Sequence, residues 1–259
     1  MKKLLILLVV ISAFATSCSD DPDDLVQTGT VVVNFKGLFD GETLIFNEDE
    51  SYFDGMAMRM TNLGFYASDI SLVSAVGADT KLSDIEYIDF QNVSFDPNAA
   101  ADGISITFTE VPVGIYTGIT FGLGVKSDLN AMVPADFPSS SPLSDAGNHW
   151  TAWDSYIFMK VEGRTDIDGD GQQFEGSFLY HTGGDPLYRT VTLNQTITLT
   201  EAETTTTVIE LEAKDVFTNG SLNQDIVNQS ISHTTPNNQD SQDISLFITD
   251  NFVNAFTIK

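Results

Sequence analysis

The chain has 259 residues, of which 42% are hydrophobic and 18 are Phe, and its formal net charge is −26. The apolar content suffices for a packed core and excludes global disorder. Eleven basic residues against 37 acidic ones leave no basic footprint for a nucleic acid, and a single Cys excludes an internal disulfide and any cysteine-built zinc or iron–sulfur site.

Met1-Lys2-Lys3 is a positively charged start, and Leu4 to Ala15 is an apolar run of twelve. That run is too short to span a bilayer and suits the hydrophobic region of a signal peptide. Ala15-Thr16-Ser17 are small, and Cys18 follows. The pattern resembles the lipobox at which bacterial lipoprotein signals are cut and the Cys is acylated, although Leu is commoner than Ala three positions before the Cys. Residues 1–17 therefore read as a lipoprotein signal, and Cys18 as the lipidated first residue of the mature chain. Residues 18–27 read as a tether, solvated by the acids of Ser19-Asp20-Asp21-Pro22-Asp23-Asp24. This acidic stretch resembles the export signal of Bacteroidetes surface lipoproteins. The expected location is the outer membrane, on the cell-surface side, with a periplasm-facing anchor as the alternative.

From residue 28 the pattern is that of strands. Val31, Val33 and Phe35 alternate with polar or outward positions, as do Ile104, Ile106 and Phe108, then Val191, Leu193, Ile197 and Leu199, then Val208-Ile209-Glu210-Leu211-Glu212. Strand-like runs also occupy Gly64–Val76, Glu86–Gln91, Tyr116–Val125, Tyr156–Val161 and Phe174–His181. Period two between Gly, Asn, Asp and Pro predicts a mostly β fold, an antiparallel two-sheet sandwich. A shorter helix is expected over Ser221–Ser230. Ile244, Phe247, Ile248, Phe252 and Phe256 fall at spacings of three and four and predict a C-terminal α-helix with Asp240 and Asp243 near its start. No repeat or linker interrupts residues 28–259, which read as a single domain.

Two patches suggest cations. Met56, Met58 and Met60 alternate, which puts three thioethers on one face of a strand; a core face is the favoured reading over a Cu(I) site. Asp166-Ile167-Asp168-Gly169-Asp170-Gly171 matches the first six positions of an EF-hand loop, with carboxylates at one, three and five. Ser177 stands where the twelfth-position Glu belongs, and Glu175 is two residues short. Asp166, Asp168 and Asp170 are thus candidates for a calcium-clamped hairpin rather than an EF-hand, with a plain Asp-Gly turn as the alternative.

All three His lie at strand ends or in loops: His149 after the Ser- and Pro-rich stretch Pro134–Gly147, His181 at the end of a strand, and His233 in a polar segment before the last helix. His149 stands beside Trp150 and Trp153, the only Trp residues. Four stretches resemble the MbnP-like family. They are Val31–Phe35; Thr61-Asn62-Leu63-Gly64-Phe65-Tyr66-Ala67-Ser68-Asp69-Ile70; Tyr116-Thr117-Gly118-Ile119-Thr120-Phe121-Gly122-Leu123-Gly124-Val125 with Asn130; and Trp150, Trp153, Tyr156, Phe158, Lys160, Glu162-Gly163 followed by Tyr180-His181 and Gly183. The last block is the most specific. The resemblance implies a periplasmic or surface protein that binds copper through His. In some members a nearby Trp is oxidised to kynurenine by a di-haem cytochrome c peroxidase-like partner and becomes a ligand. Carried over, His181 best matches a family ligand, His149 and His233 are candidates by position, and Trp150 or Trp153 is the modified residue. Imidazole suits copper, and affinity rises toward copper in the divalent series. No nucleophile elbow or phosphate-binding Gly loop is present in the sequence, so a binding protein is expected rather than an enzyme. The alternative is a surface ligand-binding module without a transition metal, accessory to a TonB-dependent transporter.

Overall fold

The computed structural model describes residues 26–233 and 239–259; the signal segment, Cys18 and most of the tether lie outside the described residues. Among the described residues, fourteen strands occur in chain order. They are β1 (Thr28–Phe39), β2 (Glu42–Thr43), β3 (Glu50–Ser51), β4 (Ala57–Ser74), β5 (Thr80–Asp89), β6 (Ile104–Pro112) and β7 (Gly114–Leu123), then β8 (His149–Trp150), β9 (Ser155–Thr165), β10 (Gly176–Gly183), β11 (Arg189–Leu199), β12 (Thr204–Glu212), β13 (Ile231–His233) and β14 (Phe256–Ile258). Helices α1 (Pro97–Asp102) and α2 (Ser127–Asn130) are short, and α3 (Gln239–Asn254) is the long one.

The strands form two sheets, one of five with the order β14-β12-β1-β2 plus β6 on β1, the other of nine built on β11-β7-β4-β9-β10-β13. The expected sandwich is present, and most pairings are antiparallel. Two are parallel, β1 with β12 and β10 with β13, because each later strand reaches its partner after a long excursion rather than a hairpin. Residues 221–230 hold turns instead of the expected short helix. Asp225 and Asn219 accept backbone N–H bonds there, and such Asx turns compete with a helix. Phe256 falls beyond α3, in β14, which pairs with β12.

The core between the sheets is aromatic. Phe35 of β1 lies edge-on to Phe65 of β4 at 5.9 Å and to Phe121 of β7 at 6.1 Å. Phe252 and Phe256 meet Phe65 at 5.5 and 5.3 Å. Such edge-to-face pairs add about 0.5–1.5 kcal/mol each beyond area burial. Met58 and Met60 are fully buried, and Met56 packs against the same core, so the alternating methionines are packing residues.

The feature that positions the functional region is a fork. One edge of β4 pairs with β9 over Met58–Phe65 and then with β7 over Ala67–Ser74. Two strands cannot meet head-on along one edge, so β9 and β7 diverge at Tyr66. Gly124 makes the divergence possible: its φ is +111°, and a Cβ there would come within 2.4 Å of Phe158. Its N–H donates to Tyr66 O at 2.9 Å. Helix α3 packs on β10, β11 and β13 and closes the gap from one side. The segment 134–150 covers the opposite face, where Tyr66 donates to Pro142 O (3.1 Å) and Tyr156 to Leu143 O (2.7 Å).

Candidate metal-binding edge

Strands β9 and β10 form a hairpin that carries most of the candidate residues. In its register His181 faces Lys160, and Leu179 faces Glu162. His181 and Glu162 are therefore diagonal neighbours on one face, the relation at which long side chains meet across a sheet. His181 Nε2 lies 2.7 Å from Glu162 Oε1, which also accepts from Asn62 Nδ2 at 3.1 Å. The bond from His181 holds the Glu162 carboxyl below its ordinary range, outweighing the opposing effect of burial. In a neutral His181 ring, a carboxylate on Nε2 favours the tautomer with the proton there, whose lone pair is on Nδ1.

The outer neighbour of β10 is β13. Its parallel register pairs Leu179 with Ile231, Tyr180 with Ser232 and His181 with His233. Two of the three histidines thus occupy neighbouring register positions at a sheet edge, with 51 residues of chain between them. The backbone of His233 is described and its side chain is not. Ser232 is buried and bonds to Ser241 O and to Ser245 Oγ, which ties β13 to α3.

His149 is placed differently. It pairs with Tyr156, four residues along β9 from the partner of His181, or about 13 Å of strand. Its ring stands edge-on to Tyr156 at 4.9 Å, and its Nε2 is buried without a hydrogen-bond partner among the described residues. Trp150 and Trp153 are both half-buried. The chain turns at Asp154 (φ +54°), and the two indoles stack at 5.2 Å with an interplanar angle of 19°. Trp153 lines a cavity together with Gly183, two residues beyond His181. Around this region Tyr66 and Tyr156 are buried phenols and Tyr87 is half-buried; desolvation pushes Tyr156 up to about 12 and the other two further, so all three stay neutral.

The other end of the same hairpin is the acidic turn. Asp166, Asp168, Asp170 and Glu175 each offer an oxygen, and these atoms lie within 4.8 Å of one another. Asp166 is buried and accepts from Gly169 N and Gly171 N, both at 2.9 Å, while Glu175 accepts from Ile167 N at 3.1 Å. The Asp170 N–H favours charged Asp168, but desolvation and the neighbouring carboxylates Asp170, Glu175 and Asp166 push its carboxyl up on balance. Like charges held this close are relieved by a cation.

Sequence reasoning did not single out Glu162, Asn62 or Glu175 as site residues. Glu162 had a legible signal, a carboxylate two register steps from a His in one hairpin. Glu175 was discounted by counting toward an EF-hand, whereas the hairpin returns it to the cluster.

Comparison with known proteins follows the same lines. The MbnP family model matches residues 28–235. A solved structure, MbnP from Methylosinus trichosporium, superposes with a TM-score of 0.54 at 17% identity, covering 85% of this chain and 88% of that one. No curated protein sequence matches. The match spans every strand from β1 to β13, including the paired histidine positions, and on that ground the chain belongs to the MbnP family.

Proposed function

We propose that this protein is a lipid-anchored, non-catalytic metal-binding protein of the cell envelope that holds copper through His181 and His233. The observation that carries the reading is the parallel register of β10 and β13, which pairs these histidines beside the Glu162 carboxylate. Imidazole is the donor type suited to copper, and a carboxylate on the far nitrogen is the usual support for a ligating His. The orphaned, buried Nε2 of His149 makes it the third candidate ligand. The stacked Trp150 and Trp153 are the indoles open to oxidation, and a kynurenine there would add an amine and a carbonyl donor. A di-haem peroxidase-like enzyme is the partner for that conversion. Cys18 is the proposed lipid attachment at the outer membrane, on the cell-surface side. No helix among the described residues is long and apolar enough to cross a membrane. A second cation, calcium, is proposed at Asp166, Asp168, Asp170 and Glu175, where hard oxygen ligands converge.

The test is metal retention. The protein is loaded with a copper, zinc and calcium mixture, washed with a mild chelator and counted by mass spectrometry. About one copper per chain, lost in both His181→Ala and His233→Ala, is the expected result. Retention of calcium alone, with no copper before or after exposure to a peroxidase partner, would overturn the copper reading and favour a ligand-binding module accessory to a TonB-dependent transporter.

A further inference from the structure

The cavity beside Trp153 has a volume of about 340 Å³, at the small end of ligand sites, which run from roughly 300 to 1,000 Å³. Its walls are the Trp153 indole, Pro186 with Leu187, and Leu246 of α3. Gly183 and Gly184 add backbone without side chains, and Ser155 and Gln242 of α3 add the two polar side chains of the lining. A Cβ at Gly183 would come within 2.3 Å of Tyr156 O, so that position is closed to larger residues, whereas at Gly184 only Pro186 lies within 4 Å.

The polar groups nearby satisfy one another. Ser155 Oγ donates to Asn130 Oδ1 at 3.0 Å, Tyr156 N donates to the same oxygen at 2.9 Å, and Asn130 Nδ2 donates to Asp185 Oδ1 at 2.9 Å. Gln242, the other polar side chain of the lining, is also engaged within the protein, so water inside would find few partners, and an apolar guest displaces it at little loss. Leu246 is 39% exposed. The other exposed positions described on α3 are Asp240, Asp243, Asp250 and Asn254, so Leu246 is the single apolar residue on a polar stripe, and it stands at this cavity.

Exposed Asp154 and Asp185 adjoin the lining residues Trp153, Gly184 and Pro186 in sequence, and the one cation bonded to the described lining, Arg189 on Pro186 O at 2.8 Å, is paired with Asp250, in a chain of net charge −26. That field repels anions and attracts cations. An indole face next to carboxylates recognises a flat cation by stacking and by cation–π attraction. The family match ends at residue 235, so the α3 wall comes from a segment outside it.

We propose that this cavity is a binding site for a small aromatic organic cation of one or two rings, its ring seated between Trp153 and Leu246 and its charge at the acidic mouth. Trp153 is shared with the kynurenine part of the copper reading, but no described lining residue is a proposed His ligand, so binding is tested without metal and on protein not exposed to a peroxidase.

Calorimetric titration of the full chain, with no metal added, tests this with three naphthalene probes: (2-naphthylmethyl)trimethylammonium, 2-naphthol and naphthalene-2-sulfonate. The expected result is one ammonium probe bound per chain, about tenfold or more tighter than the sulfonate, with the gap narrowing as salt rises. Trp153→Ala and Leu246→Gln each weaken it about tenfold or more. Leu222→Gln, at a residue 66% exposed elsewhere, and His181→Ala leave it unchanged. Leu246 lies at the surface, so its variant keeps the test valid if Trp153→Ala does not fold. No saturable binding of the ammonium probe, equal binding of the sulfonate, or an unchanged Leu246→Gln would overturn the proposal.

Discussion

Two candidate cation sites occupy one hairpin, and they are built in opposite ways. The acidic turn takes all four carboxylates from the ten residues that link β9 to β10, Asp166–Glu175. The histidine edge takes His181 from β10, Glu162 from β9, Asn62 from β4 and the His233 position from β13. The first is a local device whose Gly169 and Gly171 hold it at positive φ. The second exists only while four strands stay paired. The difference teaches that local sites tolerate damage to the core, whereas sites spread over a sheet inherit its stability.

The largest effect that sharpens this contrast comes from the core behind β10. Phe217 packs edge-on to Phe178 at 5.4 Å, and Phe217→Ala is expected to cost about 3–5 kcal/mol in denaturant unfolding. In mild denaturant this variant should lose copper while the turn still binds calcium. Loss of both metals together would break the comparison. Next in size, Glu162→Gln removes the negative charge of the group that orients His181, and copper affinity by chelator competition should fall about 10–100-fold. Calcium binding should not change; an unaltered copper affinity would show that Glu162 does not support a ligand.

Calcium itself provides a smaller test. At about 3 mM it should raise unfolding free energy by about 1–2 kcal/mol if the turn binds with the roughly 0.1–1 mM affinity of extracellular modules. Asp168→Asn with Asp170→Asn should abolish the gain.

The smallest effect concerns carboxylates that are crowded without converging. Glu50 is pushed up to about 6 by burial, then by Glu48 and Asp40, with Lys214 opposing and Glu212 adding to the push. A folded pKa above the unfolded value means stability is intact below the unfolded pKa of 4.5 and is lost as pH rises through about 6. Glu50→Gln should therefore stabilise the protein near pH 8 by about 1 kcal/mol or less, after discounting for solvent screening. The gain should vanish below pH 4.5. A gain that persists in acid would assign the effect to packing instead.

Much of this architecture was legible one residue at a time. Period two marked Val31–Phe35 and Val208–Glu212 as strands because one face of each is buried. The four-residue spacing of Ile244, Ile248 and Phe252 marked α3 for the same reason. The Asp-Gly alternation at 166–171 marked a cation-shaped turn, since neighbouring residues supply all its parts. The stacking of Trp150 on Trp153 was not legible, because the positive φ at Asp154 turns the chain out of strand geometry.

What the sequence determined by itself, then, is what depends on neighbours in the chain: the strands, the last helix, the acidic turn and the residue types suited to copper. Which histidines stand together was decided only by the tertiary structure. His149 and His181 are closer in sequence than His181 and His233, yet β13 returns to pair in parallel with β10 and sets His233 beside His181. Pairing between distant strands is fixed by which faces bury against α3 and the opposite sheet, a property of the whole packed core that no local pattern encodes.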